Sequence, residues 1–187
     1  MDVSIPHVII LNTQVHSLTF QDTIELIEAA IVEKRNTHHV VVNAGKIVSI
    51  QKNRSLFQSV INSDIINADG QSVVLASRFL GHPLPERVAG IDLMESLVEL
   101  AHQKGYRCYF FGAKENVVRK VINHYTEVYS SSVIAGFRNG YFDKAEEEEI
   151  AKDIAESEAD ILFVAITSPK KEIFLNKYKE IIKTPFI

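Results

Sequence analysis

The sequence predicts an α/β fold, a mostly parallel Rossmann-like sheet with helices on both faces. Segments with apolar residues at helical spacing alternate with short apolar runs typical of buried strands. Those runs occur at residues 39–43, 64–67, 106–111, 133–136 and 161–166. The chain has 187 residues, 46% of them hydrophobic, which suits a sizeable core. We therefore expect a single α/β domain over residues 1–187.

The N-terminal half is predicted to open with a β-hairpin and a capped helix. Residues 8–11 and 14–18 form the two hairpin strands. Thr19 is an N-cap candidate with Asp22 three residues on, and apolar residues follow at helical spacing. The remaining elements of this half are a strand, two helices, a strand and a helix, at residues 39–43, 46–51, 54–62, 64–67 and 71–80.

The C-terminal half is predicted to open with a helix that Asp92 caps and Gly105 ends. A loop is expected at residues 137–142, and Pro185-Phe186-Ile187 is typical of the first residues of one more strand, cut short. The other elements alternate between strand and helix, at residues 106–111, 116–125, 133–136, about 146–157, 161–166 and 172–182.

Composition excludes several classes of function. The formal net charge of -4 gives no general attraction to nucleic acid. Cys108 is the only cysteine, so an intrachain disulfide is impossible, and a buried, inert thiol in a reducing cytoplasm is expected. Residues 1–6 lack the basic start of a signal peptide, and no apolar run approaches the ~20 residues of a membrane-spanning helix. Any membrane role is therefore expected to be peripheral.

Metal binding is poorly supported, because the chain has no Asp-x-Asp and its histidines lack ligand-like spacing. We expect neither a metal nor a cofactor.

Polar or glycine residues follow the predicted strands, where ligands bind in parallel sheets. Those residues are Asn43, Asp69, Gly112, Gly136 and Ser168, and they are expected to meet at one edge. Asp69 could accept a proton from a substrate hydroxyl. Asp69-Gly70 is also the composition of an ordinary turn, in which Asp bonds its own backbone and Gly supplies a positive φ. The pattern leaves both readings open.

Three further segments could hold an anion. The turn at Gly112-Ala113 joins a strand to a helix and suits a phosphate, although it could be a plain βα turn. Arg87 precedes a helix, and its planar guanidinium suits a diphosphate, although a solvated surface arginine is the default. In Ser168-Pro169-Lys170-Lys171-Glu172, either lysine could reach an anionic ligand or remain solvated.

These segments, in their order and spacing, resemble the WecG/TagA/CpsF family of bacterial glycosyltransferases. The matching pieces span nearly the whole chain: Val42-Asn43-Ala44, Asn67-Ala68-Asp69-Gly70, Arg87-Val88-Ala89-Gly90-Ile91-Asp92, Phe111-Gly112-Ala113, Gly140-Tyr141-Phe142 and Ser168-Pro169-Lys170-Lys171-Glu172. The resemblance implies a metal-independent inverting transferase at the inner face of the cell membrane, with peripheral membrane contact. It would move a sugar from a UDP-sugar to the 4-hydroxyl of a lipid-linked diphospho-N-acetylglucosamine in cell-wall or surface-polymer synthesis.

The resemblance also assigns roles to residues. Asp69 would be the general base, Arg87 would contact the diphosphate, and Asn43 would line the pocket. The remaining substrate contacts are expected at Ala44, Gly70, Gly90, Gly112, Ala113, Gly136, Ser168, Lys171 and Glu172. N-acetylmannosamine or a related hexose or uronic acid is the expected sugar.

The chain departs from the family pattern at three places. Lys171 stands where Gln is usual, and Val41 stands where Thr is common. Family members also continue beyond the equivalent of Ile187 with a glycine-rich strand and a basic membrane-docking appendage, so a trimmed form or fragment is expected. Two other hypotheses stay open: a non-catalytic nucleotide-sugar binding module, and a structural or interaction domain in a surface-polymer assembly complex. Self-association of the chain is a separate expectation.

Overall fold

The computed structural model describes residues 5–187. The absence of a signal peptide was predicted from residues 1–6, of which residues 1–4 lie outside the described residues. The described residues divide into two compact units. The first comprises residues up to Ala29 and residues 37–93, and the second comprises residues 30–36 and 94–187. The single domain over residues 1–187 stays a prediction, because compactness does not show whether either unit folds alone.

The first unit opens with the predicted hairpin and helix. Strands β1 (His7–Ile10) and β2 (Thr13–His16) pair antiparallel. Helix α1 (Phe20–Val32) follows and runs into the second unit. Its capping box is confirmed, because the Asp22 N–H donates to Thr19 Oγ1 at 3.0 Å and the Thr19 N–H donates to Asp22 Oδ2 at 2.9 Å.

The centre of the first unit is a pair of parallel strands, β3 (His39–Val42) and β4 (Ile65–Ala68). Between them lie helices α2 (Ala44–Ile50) and α3 (Arg54–Ile61), and α4 (Gln71–Phe79) follows β4. One core packs strands against helices through Val8, Val15, Val40, Val42, Ile47, Leu56, Ile66, Ala68 and Val74.

A buried polar group also joins the central strands of the first unit to neighbouring elements. Asn67, only 1% exposed, accepts a hydrogen bond from His39 Nε2 at 2.9 Å and donates to Thr23 Oγ1 on α1 at 3.2 Å. The Ile66 N–H donates to His16 Nδ1 on β2 at 3.0 Å. These bonds satisfy buried polar groups and fix the strand that leads to Asp69.

The second unit is built on three parallel strands in the order β6-β5-β7: β5 (Cys108–Gly112), β6 (Ile134–Arg138) and β7 (Ile161–Ala165). Helices α5 (Gly90–Lys104), α6 (Glu115–Val128), α7 (Glu147–Glu156) and α8 (Lys170–Ile182) accompany them, with the first turn of α5 in the first unit.

Helices cover both faces of this three-stranded sheet, because every residue of β5 is buried. On one face the Phe111 ring lies 5.3 Å from the ring of Phe174 on α8. On the other, the Phe110 ring stacks on Tyr125 of α6 at 5.7 Å. The predicted class, α/β with mostly parallel strands and helices on both faces, is confirmed.

The start of one helix and the end of one strand differ from the prediction. Helix α5 begins at Gly90, and the Leu93 N–H already bonds the Ala89 carbonyl at 3.0 Å, so the assignment of Asp92 as N-cap is wrong and Asp92 lies in the first turn. Strand β6 continues to Arg138, so the predicted loop at residues 137–142 starts too early. Gly136 therefore lies inside a strand and not at its end.

The last residues pair with β7 through one isolated bridge, so the further strand expected at Pro185-Phe186-Ile187 stays a prediction. Phe186 forms a parallel bridge with Ile161, and its carbonyl accepts the Leu162 N–H at 2.9 Å. Among residues 5–187, every helix is too short or too polar to span a bilayer.

Candidate active site

The carboxyl ends of β3 and β4 bring three of the predicted site residues together in the first unit. The Asp69 N–H donates to the Val42 carbonyl at 2.9 Å, which extends the parallel pairing by one residue. A Cβ placed on Gly70 would lie 3.5 Å from Cβ of Asn43. Asn43, Asp69 and Gly70 are therefore neighbours beyond the ends of two parallel strands, where ligands bind in such sheets.

The Asp69-Gly70 step is not the ordinary turn that the sequence left open. Gly70 has φ -151° and ψ 130°, an extended conformation that serves as the N-cap of α4. The half-buried Asp69 carboxylate makes no hydrogen bond or ion pair with any residue in the range 5–187. Both features of the turn, a positive φ at Gly and a locally bonded Asp, are missing, which leaves the carboxylate available to a ligand.

Asn43 has a structural role in addition to its position at the site. Its Oδ1 accepts the Lys46 N–H at 2.9 Å, and its carbonyl accepts the Ile47 N–H at 2.9 Å. This cap starts α2 at Ala44, two residues before the predicted start. Ala44 is exposed at the first position of the helix, and Asn43 is exposed too, so its amide group can reach a ligand.

The segment 86–90 is held against the end of β4. The Val88 N–H donates to the Ala68 carbonyl at 2.8 Å, and Glu86 Oε1 accepts the Phe20 N–H at 2.6 Å. A Cβ on Gly90 would lie 3.5 Å from the Val41 side chain, which places Gly90 directly on β3. Two separate bonds thus fix the backbone around Arg87.

The Arg87 side chain forms an ion pair with Asp92. Its Nη2 lies 3.2 Å from Asp92 Oδ2, and the two side chains are 46% and 57% exposed. Such an exposed pair contributes little to stability, about 0–1 kcal/mol. It leaves the guanidinium free to exchange one carboxylate for a better anion, because Arg has five donors and Asp92 uses one of them here.

The second unit contains a cleft of about 590 Å³ beyond the carboxyl ends of β5, β6 and β7. Its lining comes from the residues that follow those strands and from the first residue of α8: Ala113, Gly140, Tyr141, Phe142, Asp143, Glu146, Ala165, Ile166, Thr167 and Lys170.

The floor of this cleft requires glycine at two positions. Gly112 has φ +136°, and a Cβ there would overlap the Ala165 carbonyl group and come within 2.7 Å of its Cα. The Ala113 N–H donates to the Ala165 carbonyl, and the Gly140 N–H donates to the Ala113 carbonyl, each at 2.9 Å. A Cβ on Gly140 would be 3.1 Å from the Gly112 Cα. The three strand ends thus lock together through their backbones.

The charged groups that line the cleft form hydrogen bonds or ring contacts with nearby residues. Lys170 Nζ lies 3.5 Å from the centre of the Phe142 ring and donates to the Phe142 carbonyl at 3.1 Å. Glu146 Oε1 accepts from Arg138 Nη2 at 2.8 Å. Asp143 and Glu146 form a capping box, in which each side chain accepts the other residue's N–H.

The predicted site residues of the second unit are placed unevenly around this cleft. Ala113 lines it, Gly112 precedes Ala113, and exposed Ser168 follows the lining residue Thr167. Lys171 and Glu172 are not among its lining residues, and Glu172 is only 3% exposed within α8. Gly136 gives room to the Tyr109 ring, since a Cβ there would be 2.7 Å from Cε2.

The cleft is also lined by Tyr141, Asp143 and Glu146, for which the sequence predicted no site role. The motif Gly140-Tyr141-Phe142 was the available signal, because it follows a strand at the ligand-binding edge. The predicted strand ended at residue 136, whereas β6 ends at Arg138, so the motif was assigned to a loop and its place directly after the strand was missed. The predicted meeting of all five strand ends stays a prediction, since Asn43 and Asp69 belong to the first unit and Gly112 and Ser168 to the second.

The thiol of Cys108 is buried, and its burial determines its pKa. Burial, with a smaller contribution from nearby Asp160, raises the pKa of Cys108 to about 12, so the thiol stays protonated and inert near neutral pH. No three His, Cys, Asp or Glu side chains of residues 5–187 are grouped so as to hold a metal ion. Metal independence stays a prediction.

Comparison with known proteins shows which protein family this chain matches. The model of the "Glycosyl transferase WecG/TagA/CpsF family" matches residues 8–187. Two curated relatives are each named N-acetylglucosaminyldiphosphoundecaprenol N-acetyl-beta-D-mannosaminyltransferase. The Bacillus spizizenii protein is 37% identical over 126 residues, which are 67% of this chain and 48% of the relative. The Bacillus subtilis protein is 33% identical over 130 residues, 70% of this chain and 50% of the relative.

The aligned residues thus span about half the length of these curated relatives. The family match covers both units, the one that carries Asp69 and the one that carries the cleft. On this match, which agrees with the resemblance drawn from the motifs, the chain belongs to the WecG/TagA/CpsF family of glycosyltransferases.

Proposed function

We propose that this protein is an inverting glycosyltransferase that uses Asp69 as its general base. It moves N-acetylmannosamine, or a related hexose or uronic acid, from a UDP-sugar to the 4-hydroxyl of a lipid-linked diphospho-N-acetylglucosamine. The observation that carries the proposal is the half-buried Asp69 carboxylate, which stands unbonded within the described residues beside Asn43 at two strand ends. The names of the two Bacillus relatives support the sugar and the acceptor.

The reaction is a single displacement. The acceptor O4 attacks the anomeric carbon of the donor, the new C–O bond forms, and the bond from that carbon to the diphosphate oxygen breaks. The electron pair of the broken bond leaves with UDP. Asp69 accepts the proton of the hydroxyl as the attack proceeds, which makes a weak nucleophile effective. One displacement at the anomeric carbon inverts its configuration.

Arg87 has the role of an anion ligand in this proposal. The departing diphosphate gains negative charge, and a guanidinium aimed at that charge stabilises the transition state. The bonds that fix Val88 and Glu86 keep the Arg87 backbone in place, and the exposed Asp92 pair can open when a diphosphate arrives. Asn43 would donate from its amide group to a substrate hydroxyl.

The other proposed substrate contacts are close backbone approaches and exposed groups. Ala44, Gly70 and Gly90 serve in the first unit, and Gly112, Ala113, Ser168 and Lys171 in the second. Gly136 and Glu172 act by supporting the neighbouring strand and helix. We propose catalysis without a metal or a cofactor, peripheral contact with the inner face of the cell membrane, and no nucleic-acid partner. Self-association is a further hypothesis.

The test is transfer from a panel of UDP-sugars to a short-chain polyprenyl-diphospho-N-acetylglucosamine. Asp69→Asn should lower the transfer rate about 10²–10⁴-fold, the usual contribution of a general base, while UDP binding is retained. Asp64→Asn is the matched control, because it changes an acidic residue at the other end of the same strand segment. Asp64 Oδ2 accepts the His38 N–H, and an amide oxygen can do the same.

Two results would overturn the proposal. Unchanged transfer by Asp69→Asn removes Asp69 from its role. Binding of UDP-sugars by the unaltered protein without any transfer replaces the enzyme with a binding module.

A further inference from the structure

Helix α4 of the first unit exposes three large apolar side chains near its C-terminal end. Leu75, Phe79 and Leu80 are 45%, 91% and 54% exposed. The opposite side of the helix packs into the core through Val73 and Val74. Leu75 and Phe79 are four residues apart, so they lie side by side on the helix surface, and Leu80 is the C-cap. A group of large apolar side chains outside the core marks a site of contact with a protein or a membrane.

Hydrogen bonds fix the end of α4 that carries these side chains. Ser77 Oγ donates to the Val74 carbonyl at 2.7 Å and accepts the Leu84 N–H at 2.9 Å. The His82 N–H donates to the Ser77 carbonyl at 3.1 Å. Leu84 is only 2% exposed, so the chain that leaves α4 turns back into the core. Phe79 is therefore exposed on a fixed helix end and not on a fraying one.

The charge around these side chains suits an anionic lipid surface. Residues 70–85 contain no aspartate or glutamate, and their basic side chains, Arg78 and His82, are both exposed. The whole chain, by contrast, has a formal net charge of -4. Apolar side chains beside a cation and without an anion are typical of a helix that enters the surface of an anionic bilayer, where apolar burial and electrostatic attraction add up.

A second copy of the chain fits this surface less well. Phe79, the largest of the side chains, offers at most about 250 Å², whereas a stable protein interface takes about 800 Å² from each partner. A symmetric pair formed through this surface would also bring the two copies of Arg78 together, and like charges repel. Contact with a bilayer needs no minimum area, because its strength grows with each apolar group that is buried.

Helix α4 leads away from the proposed catalytic carboxylate. Its N-cap is Gly70, the residue after Asp69, and its nine residues rise by about 13 Å to Phe79. The proposed acceptor is a sugar joined to a lipid through a diphosphate, and an extended hexose with two phosphate groups spans a similar length. With Phe79 at the bilayer surface, Asp69 therefore stands about one acceptor headgroup above the lipid.

We propose that the C-terminal end of α4 contacts the anionic bilayer that holds the acceptor. The membrane-contact surface consists of Leu75, Arg78, Phe79 and Leu80. Phe79 and Leu80 enter the bilayer between the headgroups, Arg78 pairs with lipid phosphates, and Leu75 lies above them at the level of the headgroups. The choice of a bilayer as the occupant rests on the proposed function, because that function requires a lipid-linked acceptor.

Co-sedimentation of the full chain with lipid vesicles tests this surface. Vesicles of phosphatidylglycerol and phosphatidylcholine in equal parts should bind the protein more tightly than vesicles of phosphatidylcholine alone. Phe79→Ser should weaken binding about 10-fold, the lower end of what burial of one large apolar side chain contributes. Arg78→Gln should weaken binding to the anionic vesicles about 5-fold, the effect of one cation near such a surface, and leave binding to the neutral vesicles unchanged.

Ile9→Ser is the matched control, because it removes an exposed apolar side chain from another element of the same unit. Ile9 is 62% exposed on β1, whereas its neighbours Val8 and Ile10 pack into the core that α4 also enters. Side chains alternate along a strand, so Ile9 points away from that core. Ile9→Ser should therefore leave vesicle binding unchanged.

Fluorescence gives a second readout that does not depend on a loss of binding. The chain has no tryptophan, so Phe79→Trp introduces a single reporter at the proposed point of entry. Its emission should shift to shorter wavelength when anionic vesicles are added, and lipids brominated in their acyl chains should quench it. Ile9→Trp should show neither change.

Three results would overturn the membrane-contact surface. The first is a protein that does not bind anionic vesicles. The second is a protein that binds them while the Phe79→Trp reporter stays unchanged, which moves the contact to another surface. The third is a shift of the reporter with rising protein concentration in the absence of vesicles, which assigns this surface to a second copy of the chain.

Transfer assays separate this inference from the proposed function. Phe79→Ser should lower transfer to an acceptor embedded in anionic vesicles relative to transfer to the short-chain acceptor. If the Phe79→Trp reporter does not enter vesicles while Asp69→Asn abolishes transfer, the membrane-contact surface fails and the transferase stands. If the reporter enters vesicles but the unaltered protein transfers no sugar to either acceptor, the surface stands and the transferase fails.

Discussion

Gly112 is the position where a single methyl group should be most damaging. In Gly112→Ala the new Cβ would overlap the Ala165 carbonyl group at the junction of β5 and β7. The backbone there has φ +136°, which a residue with a Cβ rarely adopts. The overlap is with backbone, so no side chain can rotate away to relieve it.

The expected loss has two sources. A positive φ costs about 1–2 kcal/mol for a residue other than glycine. Relief of the overlap requires the ends of β5 and β7 to separate, which breaks the bond from the Ala113 N–H to the Ala165 carbonyl. A buried donor left unsatisfied costs about 1–3 kcal/mol. Together these predict a decrease of about 2–5 kcal/mol in the free energy of unfolding, a large part of the usual 5–15 kcal/mol.

Urea unfolding followed by circular dichroism measures this loss, and two other glycines provide matched controls. Gly105 has φ +78° but open space around its Cβ position, so Gly105→Ala should cost only about 1–2 kcal/mol. Gly70 is extended and its Cβ would make ordinary contacts at 3.5 Å, so Gly70→Ala should change stability little. Equal midpoints for Gly112→Ala and Gly105→Ala would refute the close approach of the two backbones.

Two further predictions concern groups whose pKa is shifted by burial. Burial, with His7 nearby, lowers the pKa of His16 below 6.5 although Asp64 raises it, so the unfolded chain binds more protons near pH 6. The free energy of unfolding should therefore fall as the pH drops below about 6.5, and His16→Asn should reduce that slope; an unchanged slope would contradict the role of His16. The Cys108 thiol, with its pKa raised to about 12, should not react with a disulfide reagent at pH 8 until urea unfolds the protein. Reaction of the folded protein at the rate of free cysteine would contradict its burial.

Local sequence determined the secondary structure well, because the signals lie within a few residues of one another. Thr19 and Asp22 form the predicted capping box, and the apolar runs became parallel strands. The predicted boundary of a helix was wrong where a hydrogen bond to a distant part of the chain sets the start of that helix. Asp92 lost its place as N-cap because the segment before it is bonded to the end of β4, which starts α5 at Gly90.

The sequence by itself named Asp69 and Arg87 through their motif, but the residues alone left both an ordinary turn and a site open at Asp69. The tertiary structure excludes the ordinary turn, since Gly70 is extended and the carboxylate is unbonded within the described residues, and the role of Asp69 stays a prediction. The cleft at Tyr141 and Lys170 also depends on tertiary structure, because it joins residues from three strand ends that are distant along the chain. The spacing of residues along the sequence predicts helices and strands. The pairing of the strands decides which side chains share a cavity, and that pairing joins residues that are distant along the chain.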